Sequence, residues 1–174
     1  MKLATIAYEA GDGEQADALL RDLAHSLRAK GFRLAGAVQW NAPELGGSRC
    51  EMELEDLATG KRYSTAVDKA AGAPSCRLDA SALEDVAGIV ASTISPELDL
   101  VIVNRFGKQE IAGNGFRAVI EAAVVNELPV LTAINRAYSK DWAEFAGDDC
   151  AELSTDPALL NAWCAAVLPA KGAA

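Results

Sequence analysis

The stretch Asp99–Glu110, DLVIVNRFGKQE, decides the fold because it joins a buried strand to a polar turn. Its apolar residues, together with Leu98, predict a strand over Leu98–Val103 that is buried on both faces, as in a parallel sheet. Asn104 and Arg105 follow at once, at the carboxyl end of the strand, which is where open α/β sheets bind their ligands. The stretch therefore predicts a parallel sheet with a ligand site at this edge.

A similar succession of elements opens the chain. Lys2–Tyr8 reads as a short apolar strand, a loop containing Gly11 and Gly13 follows, and a helical pattern runs over Gln15–Lys30. A glycine loop between a strand and a helix presents backbone N–H groups to anions, here those of residues 13–16 with the Gln15 amide beside them. The same two glycines also suit an ordinary strand-to-helix turn, so both interpretations remain open.

Neither segment carries the residues of nucleotide hydrolysis. The pattern GxxxxGK[ST] is not met, because Gly13 is followed by Glu14 and Gln15. In hydrolysing P-loop proteins the buried strand ends in an Asp that holds Mg²⁺, whereas this strand is followed by Asn104 and Arg105. A Glu14 carboxylate about 4 Å from a phosphate charge would cost roughly 4 kcal/mol, so Glu14 must face solvent if an anion binds. We therefore assign no catalytic residue and expect a protein that is not an enzyme.

The remaining sequence alternates strands and helices. Strands are predicted over 33–40, 51–57, 62–67 and 129–134, and helices over 79–94 and 116–126. The two middle strands form a β-hairpin insertion over residues 50–67, and the tail from Ala137 is expected to form short helices on the sheet edge and to fray over 170–174. The pattern predicts a single α/β domain over residues 1–174, with a mostly parallel sheet flanked by helices.

Composition and charge limit the classes of partner that the protein is expected to bind. A net charge of −9 and a pI near 4.6 argue against nucleic-acid or anionic membrane partners and favour a small ligand. No apolar run approaches the roughly 18 residues of a membrane span, and Glu9 interrupts the first apolar run, so we expect a cytoplasmic protein. Four widely spaced cysteines and one histidine do not form a zinc motif, which leaves any metal unknown. The sequence leaves open whether the protein forms a homo-oligomer.

Three segments resemble the small P-loop nucleoside-triphosphatase family first described in thermophiles. They are the loop at residues 9–15, ATGK at 58–61 and NRFGKQE at 104–110. That family has an apolar strand followed by DEIGKME, so Gly107, Lys108 and Glu110 match while Asn104 and Arg105 depart. The resemblance implies a P-loop-like fold whose motifs are degenerate.

The chain is more similar to a bacterial family of unknown function related to those enzymes. The similar segments are GAVQ at 36–39, CRLD at 76–79, VNRFGKQE at 103–110, GFRAVI at 115–120 and the Trp163-Cys164 ending. Members of that family are often encoded beside molybdate-uptake genes. The resemblance therefore implies a link to molybdate or tungstate, which composition and spacing do not show.

Arg105 and Lys108 are the candidate anion ligands at the strand end. A planar guanidinium suits a two-point contact with an oxyanion, and two cations neutralise an anion without metal. The alternative is that Arg105 pairs with an acidic neighbour, which is common in a protein with this net charge. The sequence leaves both interpretations of Arg105 open.

Cys50 and Cys76 form a candidate thiol site. Cys76 stands beside Arg77 just before a predicted helix start, a position that lowers a thiol pKa, and Cys50 opens the hairpin next to Arg49. The alternative is that both are small buried hydrophobic residues. His25 falls beside the apolar stripe of its helix, so we expect a solvated residue and no catalytic triad.

Together these features predict a non-hydrolysing protein that binds a small anion, with molybdate or tungstate as candidates in metal-oxyanion homeostasis. The predicted ligand-binding residues are Gly11, Gly13, Glu14, Gln15, Asn104, Arg105 and Lys108. One alternative is a residual nucleotide-binding phosphatase. A second alternative is a regulatory or structural interaction module, with an exposed surface around Trp40 or Trp142.

Overall fold

A computed structural model describes residues 2–41, 52–66 and 78–170 of the chain. In these ranges the strands are β1 Leu3–Tyr8, β2 Leu34–Asn41, β3 Met52–Asp56, β4 Arg62–Ser64, β5 Leu100–Phe106, β6 Val130–Asn135 and β7 Cys150–Leu153. The helices are α1 Gly13–Ala29, α2 Ala80–Ala91, α3 Lys108–Ile111, α4 Arg117–Val125, α5 Ser139–Ala146 and α6 Pro157–Val167, with a 3-10 turn at Arg136–Tyr138.

The strands form one sheet in the order β4-β3-β2-β5-β6-β1-β7. The five strands from β2 to β7 in that order are parallel, whereas β3 and β4 pair antiparallel at one edge. This arrangement confirms the predicted α/β class, with its mostly parallel sheet, flanking helices and hairpin insertion. No helix in the described part of the chain is long and apolar enough to cross a membrane.

Two apolar layers hold the helices against the sheet. On one face α1 and α6 pack through residues at helical spacing, such as Leu20, Leu27 and Leu160. On the other face α2, α4 and α5 cover a second core that includes Val103 and Phe106. Because helices lie on both faces, the parallel strands are buried on both sides and the carboxyl edge of the sheet is left for a ligand site.

Strand β5 runs further than the sequence predicted. It continues to Phe106, so Asn104 and Arg105 lie within the strand rather than after it. Phe106 extends the strand because its ring packs against Trp142 and Phe145, each with ring centroids 5.0 Å away. The register with β6 shifts between Val103 and Phe106. An irregularity of this kind changes the direction of the side chains beside it, which here are those of Asn104 and Arg105.

Two expectations for the tail and the surface were wrong. The tail contains the edge strand β7, which pairs in parallel with β1, in addition to the predicted helices. Its four residues, CAEL, include no β-branched or aromatic residue, so nothing local indicated a strand. Trp142 is buried in the aromatic cluster with Phe106 rather than exposed, while Trp40 is half-buried. Most of the expected frayed tail, residues 171–174, lies outside the described residues.

Gly36 sets the spacing between the two central strands β2 and β5. Its φ is +106°, and a Cβ at this position would lie 1.9 Å from the Ile102 carbonyl oxygen of the neighbouring strand. A side chain here would therefore push β2 away from β5 and impose a left-handed backbone on a residue with a Cβ.

We predict that Gly36→Ala lowers the free energy of unfolding by about 2–4 kcal/mol, through overpacking and backbone strain. The matched control is Gly88→Ala, because Gly88 is exposed in α2 and its added Cβ would meet no atom within 4 Å. We expect this control to stabilise the fold by about 0.5–1 kcal/mol. Urea denaturation followed by circular dichroism measures both. Equal effects of the two substitutions would contradict the close approach of β2 and β5.

Candidate functional site

The polar centre of the molecule is Asp17, a fully buried carboxylate in the second turn of α1. Four hydrogen bonds reach its two oxygens. Oδ1 accepts from Asn104 Nδ2 at 2.8 Å and Arg105 Nε at 2.9 Å, and Oδ2 accepts from Asn41 Nδ2 at 3.0 Å and Arg105 Nη2 at 2.6 Å. A buried charge is tolerated only when it is paired and hydrogen-bonded, and Asp17 meets both conditions.

Arg105 is the counter-ion, and its guanidinium binds Asp17 through two parallel bonds. The side chain reaches the first strand, where its Cζ lies 5.5 Å from the centroid of the Tyr8 ring. A Cβ on Gly13 would lie 2.8 Å from Arg105 Nη2, so the guanidinium packs directly on the start of α1. Burial alone would lower the pKa of Arg105, but the bonds and charge of Asp17 outweigh it and raise that pKa. The structure thus pairs Arg105 with an acidic neighbour.

Asn104 is buried and ties three elements together. It donates to Asp17 on α1, and its Oδ1 accepts from the Gln39 backbone N–H of β2 at 3.0 Å. Gln39 in turn donates its side-chain amide to Asn41 Oδ1 at 2.7 Å. Position 104 needs a donor on one side and an acceptor on the other, which an amide supplies. A carboxylate at this position would face Asp17 with a like charge.

This arrangement reverses the charges of a hydrolysing P-loop site. There the helix start provides the Lys and the strand end provides the Mg²⁺-binding acid, whereas here the acid is on α1 and the cation is on β5. Each Asp17 oxygen already accepts two hydrogen bonds, so a metal ion would have to displace an amide or the guanidinium. Within residues 2–41, 52–66 and 78–170, no three His, Cys, Asp or Glu side chains are grouped as a metal site requires.

Glu110 has a local structural role. Its Oε2 accepts from the Gly107 N–H at 2.9 Å and its Oε1 accepts from the Phe116 N–H at 3.0 Å, so it closes the turn that contains α3. Burial raises the pKa of this carboxyl, and the backbone N–H groups only partly offset that effect. The glutamate that matches the triphosphatase pattern therefore holds the turn that carries Lys108.

The cleft beside this turn has a volume of about 580 Å³, within the range of about 300–1,000 Å³ that is typical of small-molecule sites. Its polar lining includes Asn104, Arg105, Lys108, Gln109 and the buried carboxylate of Glu110. Its apolar lining comes from β3, from α2 and the residue Leu78 before it, and from the turn before α4: Met52, Leu54, Leu78, Leu83 and Phe116. The cleft therefore joins a cationic side to an apolar one at the carboxyl ends of β2 and β5.

The amino-terminal loop contributes less than the sequence predicted. Gly11, Glu14 and Gln15 are exposed and do not line the cleft, although Gly13 contacts the Arg105 guanidinium. Helix α1 begins at Gly13 rather than Gln15, and the Ala16 N–H, one of the expected anion donors, bonds the Asp12 carbonyl at 3.1 Å. The structure brings together Asn104, Arg105 and Lys108 at the cleft, whereas Gly11 and Gln15 do not line it and Glu14 acts on Arg105 only through its charge.

Sequence reasoning missed Asp17, although its position gave a signal. It lies in the apolar stripe of α1 between Ala16 and Leu20, where a charge requires a buried partner. The environment of His25 was also different from the expected solvated surface. Its side chain is 41% exposed, and Nε2 lies 3.0 Å from Glu55 Oε2. The candidate thiols Cys50 and Cys76 lie outside the described residues.

Comparisons with known proteins agree with this fold. The protein family described as of unknown function (DUF2478) matches residues 3–163. Molybdenum import ATP-binding protein ModC 2 of Bradyrhizobium diazoefficiens is 36% identical over 162 residues, which cover 93% of this chain and 18% of that protein. The chain thus spans less than a fifth of the length of this curated relative. No solved structure gives a significant match. The relative supports the P-loop-like character of the sheet and helices.

The Asp17–Arg105 pair should dominate the stability of this site. We predict that Asp17→Asn lowers the free energy of unfolding by about 3 kcal/mol, because it leaves a half-buried guanidinium without its counter-ion. In a double-mutant cycle with Arg105→Gln, we expect a coupling energy of about 1–2 kcal/mol, reduced by the partial exposure of Arg105.

The exposed pair Arg33–Glu97, with a 3.3 Å contact, provides the matched cycle. Its coupling energy should be below about 0.5 kcal/mol, as for other surface pairs. Urea denaturation of the two sets of variants gives both values. A coupling in the Asp17–Arg105 cycle no larger than in the surface cycle would contradict the assignment of this pair as the centre of the site.

Proposed function

The chain belongs to the DUF2478 family of proteins of unknown function. We propose that it is a non-hydrolysing protein that binds small anions on a degenerate P-loop-type fold. The observation that carries the proposal is the pairing of Arg105 with Asp17. This pair stands where a hydrolysing relative would need a free carboxylate for Mg²⁺.

The cationic side of the cleft supports anion binding. Lys108 is exposed at the cleft, and no described carboxylate forms an ion pair with it. Arg105 uses Nε and Nη2 for Asp17 and also interacts with the Tyr8 hydroxyl, which leaves part of its five N–H donors for a ligand. The ion pair also holds the guanidinium in one orientation, which lowers the entropy lost when an anion binds. Lys108, Gln109 and the outer edge of Arg105 are therefore the donors we assign to the ligand.

Molybdate and tungstate are the candidate ligands. The support is the printed name of the relative, a molybdenum import ATP-binding protein, together with the resemblance to a family encoded near molybdate-uptake genes. Both are tetrahedral dianions that need N–H donors and positive charge, which the cleft provides. On this proposal the protein works in metal-oxyanion homeostasis in the cytoplasm and takes a small anion as its partner.

Nucleotide binding is the second candidate, and the apolar side of the cleft favours it. A tetrahedral oxyanion occupies a small part of 580 Å³, whereas Phe116, Leu54 and Leu83 would pack against the base of a nucleotide. A regulatory module is the third candidate, because the matched relative is more than five times the length of the aligned segment. A segment of this kind in a longer chain can report ligand binding to its neighbours.

The test is a thermal-shift and calorimetric titration with molybdate, tungstate, sulfate, phosphate, ATP and GTP, each with and without Mg²⁺. A ligand at about 100 times its Kd should stabilise the fold by about 2.7 kcal/mol. We predict a Mg²⁺-independent effect of molybdate or tungstate, and at least a tenfold weaker affinity in Lys108→Gln.

The control is Lys140→Gln, which removes an exposed lysine paired with Glu144 on α5 and should leave the affinity unchanged. Stabilisation by ATP or GTP only when Mg²⁺ is present would overturn the metal-free oxyanion site and favour the nucleotide-binding alternative. Absence of any effect from all six anions would overturn anion binding and leave the regulatory module.

A further inference from the structure

A second group of basic side chains lies between α1 and the β3–β4 hairpin. We call it the arginine valley and define it by Arg21, His25 and Arg28 on α1, Trp40 on β2, Glu55 on β3 and Arg62 on β4. The three α1 residues are spaced i, i+4 and i+7, so they share one face of the helix. This grouping of three arginines stands out in a protein with a net charge of −9.

The strand residues of the valley face the helix. Val38 packs in the core beneath α1, and the residue opposite it on β3 is Glu55. Arg62 stands opposite Glu55 on β4, and Trp40 follows two residues after Val38. Residues that stand opposite each other, or two apart on one strand, share a face of the sheet, so all of these side chains point toward α1.

Trp40 positions two guanidinium groups. The Cζ of Arg62 lies 3.7 Å from the indole centroid and the Cζ of Arg21 lies 4.6 Å from it, both within the range of cation–π contacts. The two carbons are therefore no more than 8.3 Å apart. Two guanidinium groups this close can both contribute N–H donors to one phosphate group, each through a forked contact with its oxygens. Stacking on the indole also limits the rotamers that binding would otherwise have to fix.

Glu55 contacts Arg28 and His25 of the valley and forms no ion pair with Arg21 or Arg62 in the described part of the chain. Its buried carboxylate accepts from Trp40 Nε1 at 2.7 Å and Arg28 Nη1 at 2.9 Å, and lies 3.0 Å from His25 Nε2. Burial opposes ionisation, but these contacts outweigh it and lower the pKa of Glu55. The Glu55 carboxylate at the base of the valley is thus already bonded to three of its side chains.

Among residues 2–41, 52–66 and 78–170, the ion-pair partners of Arg21 and Arg62 are distant and exposed. Arg21 lies 3.8 Å from Asp22, whose side chain is 76% exposed, and Arg62 lies 4.0 Å from Glu53. Pairs of this kind contribute little and are readily exchanged for a stronger acceptor. The indole of Trp40 thus contacts both guanidinium groups, and no buried carboxylate within the described part of the chain occupies their N–H edges.

We propose that the arginine valley is a second anion site, independent of the cleft, that binds the phosphate dianion of a small molecule between Arg21 and Arg62. The planar guanidinium fork fits phosphate oxygens better than a lysine does. Trp40 holds the two forks, and Glu55 fixes the indole from below through its Nε1–H bond. Free phosphate and the phosphate group of a sugar phosphate present the same chemistry to this site.

The test is a titration of ¹⁵N-labelled protein with inorganic phosphate or glucose 6-phosphate at constant ionic strength, with chloride as the reference anion. The indole N–H signal of Trp40, identified by its loss in Trp40→Phe, should shift saturably with either phosphate and not with chloride. Tighter binding of the sugar phosphate identifies a monoester ligand, and equal binding identifies phosphate itself.

The matched variants are Arg62→Gln and Arg136→Gln, whose arginines are 45% and 47% exposed. We expect Arg62→Gln to weaken phosphate binding at least tenfold and Arg136→Gln to leave it unchanged. The unliganded spectra establish that both variants are folded. The proposal is overturned if the Trp40 signal follows chloride as it follows phosphate, or if the two variants weaken binding equally. The same titration of Lys108→Gln separates the two sites, because this variant weakens binding in the cleft and should leave the phosphate-induced shift of the Trp40 signal unchanged.

Discussion

The structure depends on a buried carboxylate that must be neutralised. Asp17 lies on the inner side of α1, and the chain supplies it with two amides and one guanidinium from β2 and β5. Satisfying this charge fixes the start of α1 over the ends of the strands and determines which side chains the sheet edge can carry. Gly13 must then lack a side chain, because the Arg105 guanidinium occupies the space beside it.

On the function proposed above, the same constraint would let a nucleotide-type fold keep its architecture without metal-dependent chemistry. The cation that in hydrolysing proteins is a bound metal is here a covalent part of β5, and the acid that would hold the metal has moved to the helix. The turn at residues 107–110 keeps its shape because Glu110 accepts two backbone N–H groups. Lys108 therefore remains at the cleft although the acidic partners of a triphosphatase site are missing.

The sequence predicted the parts of the fold that depend on periodicity. Buried strands such as β5 and amphipathic helices such as α1 follow from runs and spacing of apolar residues. The sequence predicted the polar site only in part. Asp17 and Arg105 are 88 positions apart in the chain, so no local sequence pattern indicates that they pair. Edge strand β7 was missed for a similar reason, because its pairing with β1 rather than its composition makes it a strand.

Binding of Mn²⁺, observed by electron paramagnetic resonance with and without ATP, tests the central claim most directly. If Arg105 replaces the metal at Asp17, the spectrum should remain that of free Mn²⁺ or of Mn²⁺–ATP in solution at any protein concentration. A protein-bound Mn²⁺ signal that disappears in Asp17→Asn would show that the carboxylate binds metal and would contradict the account.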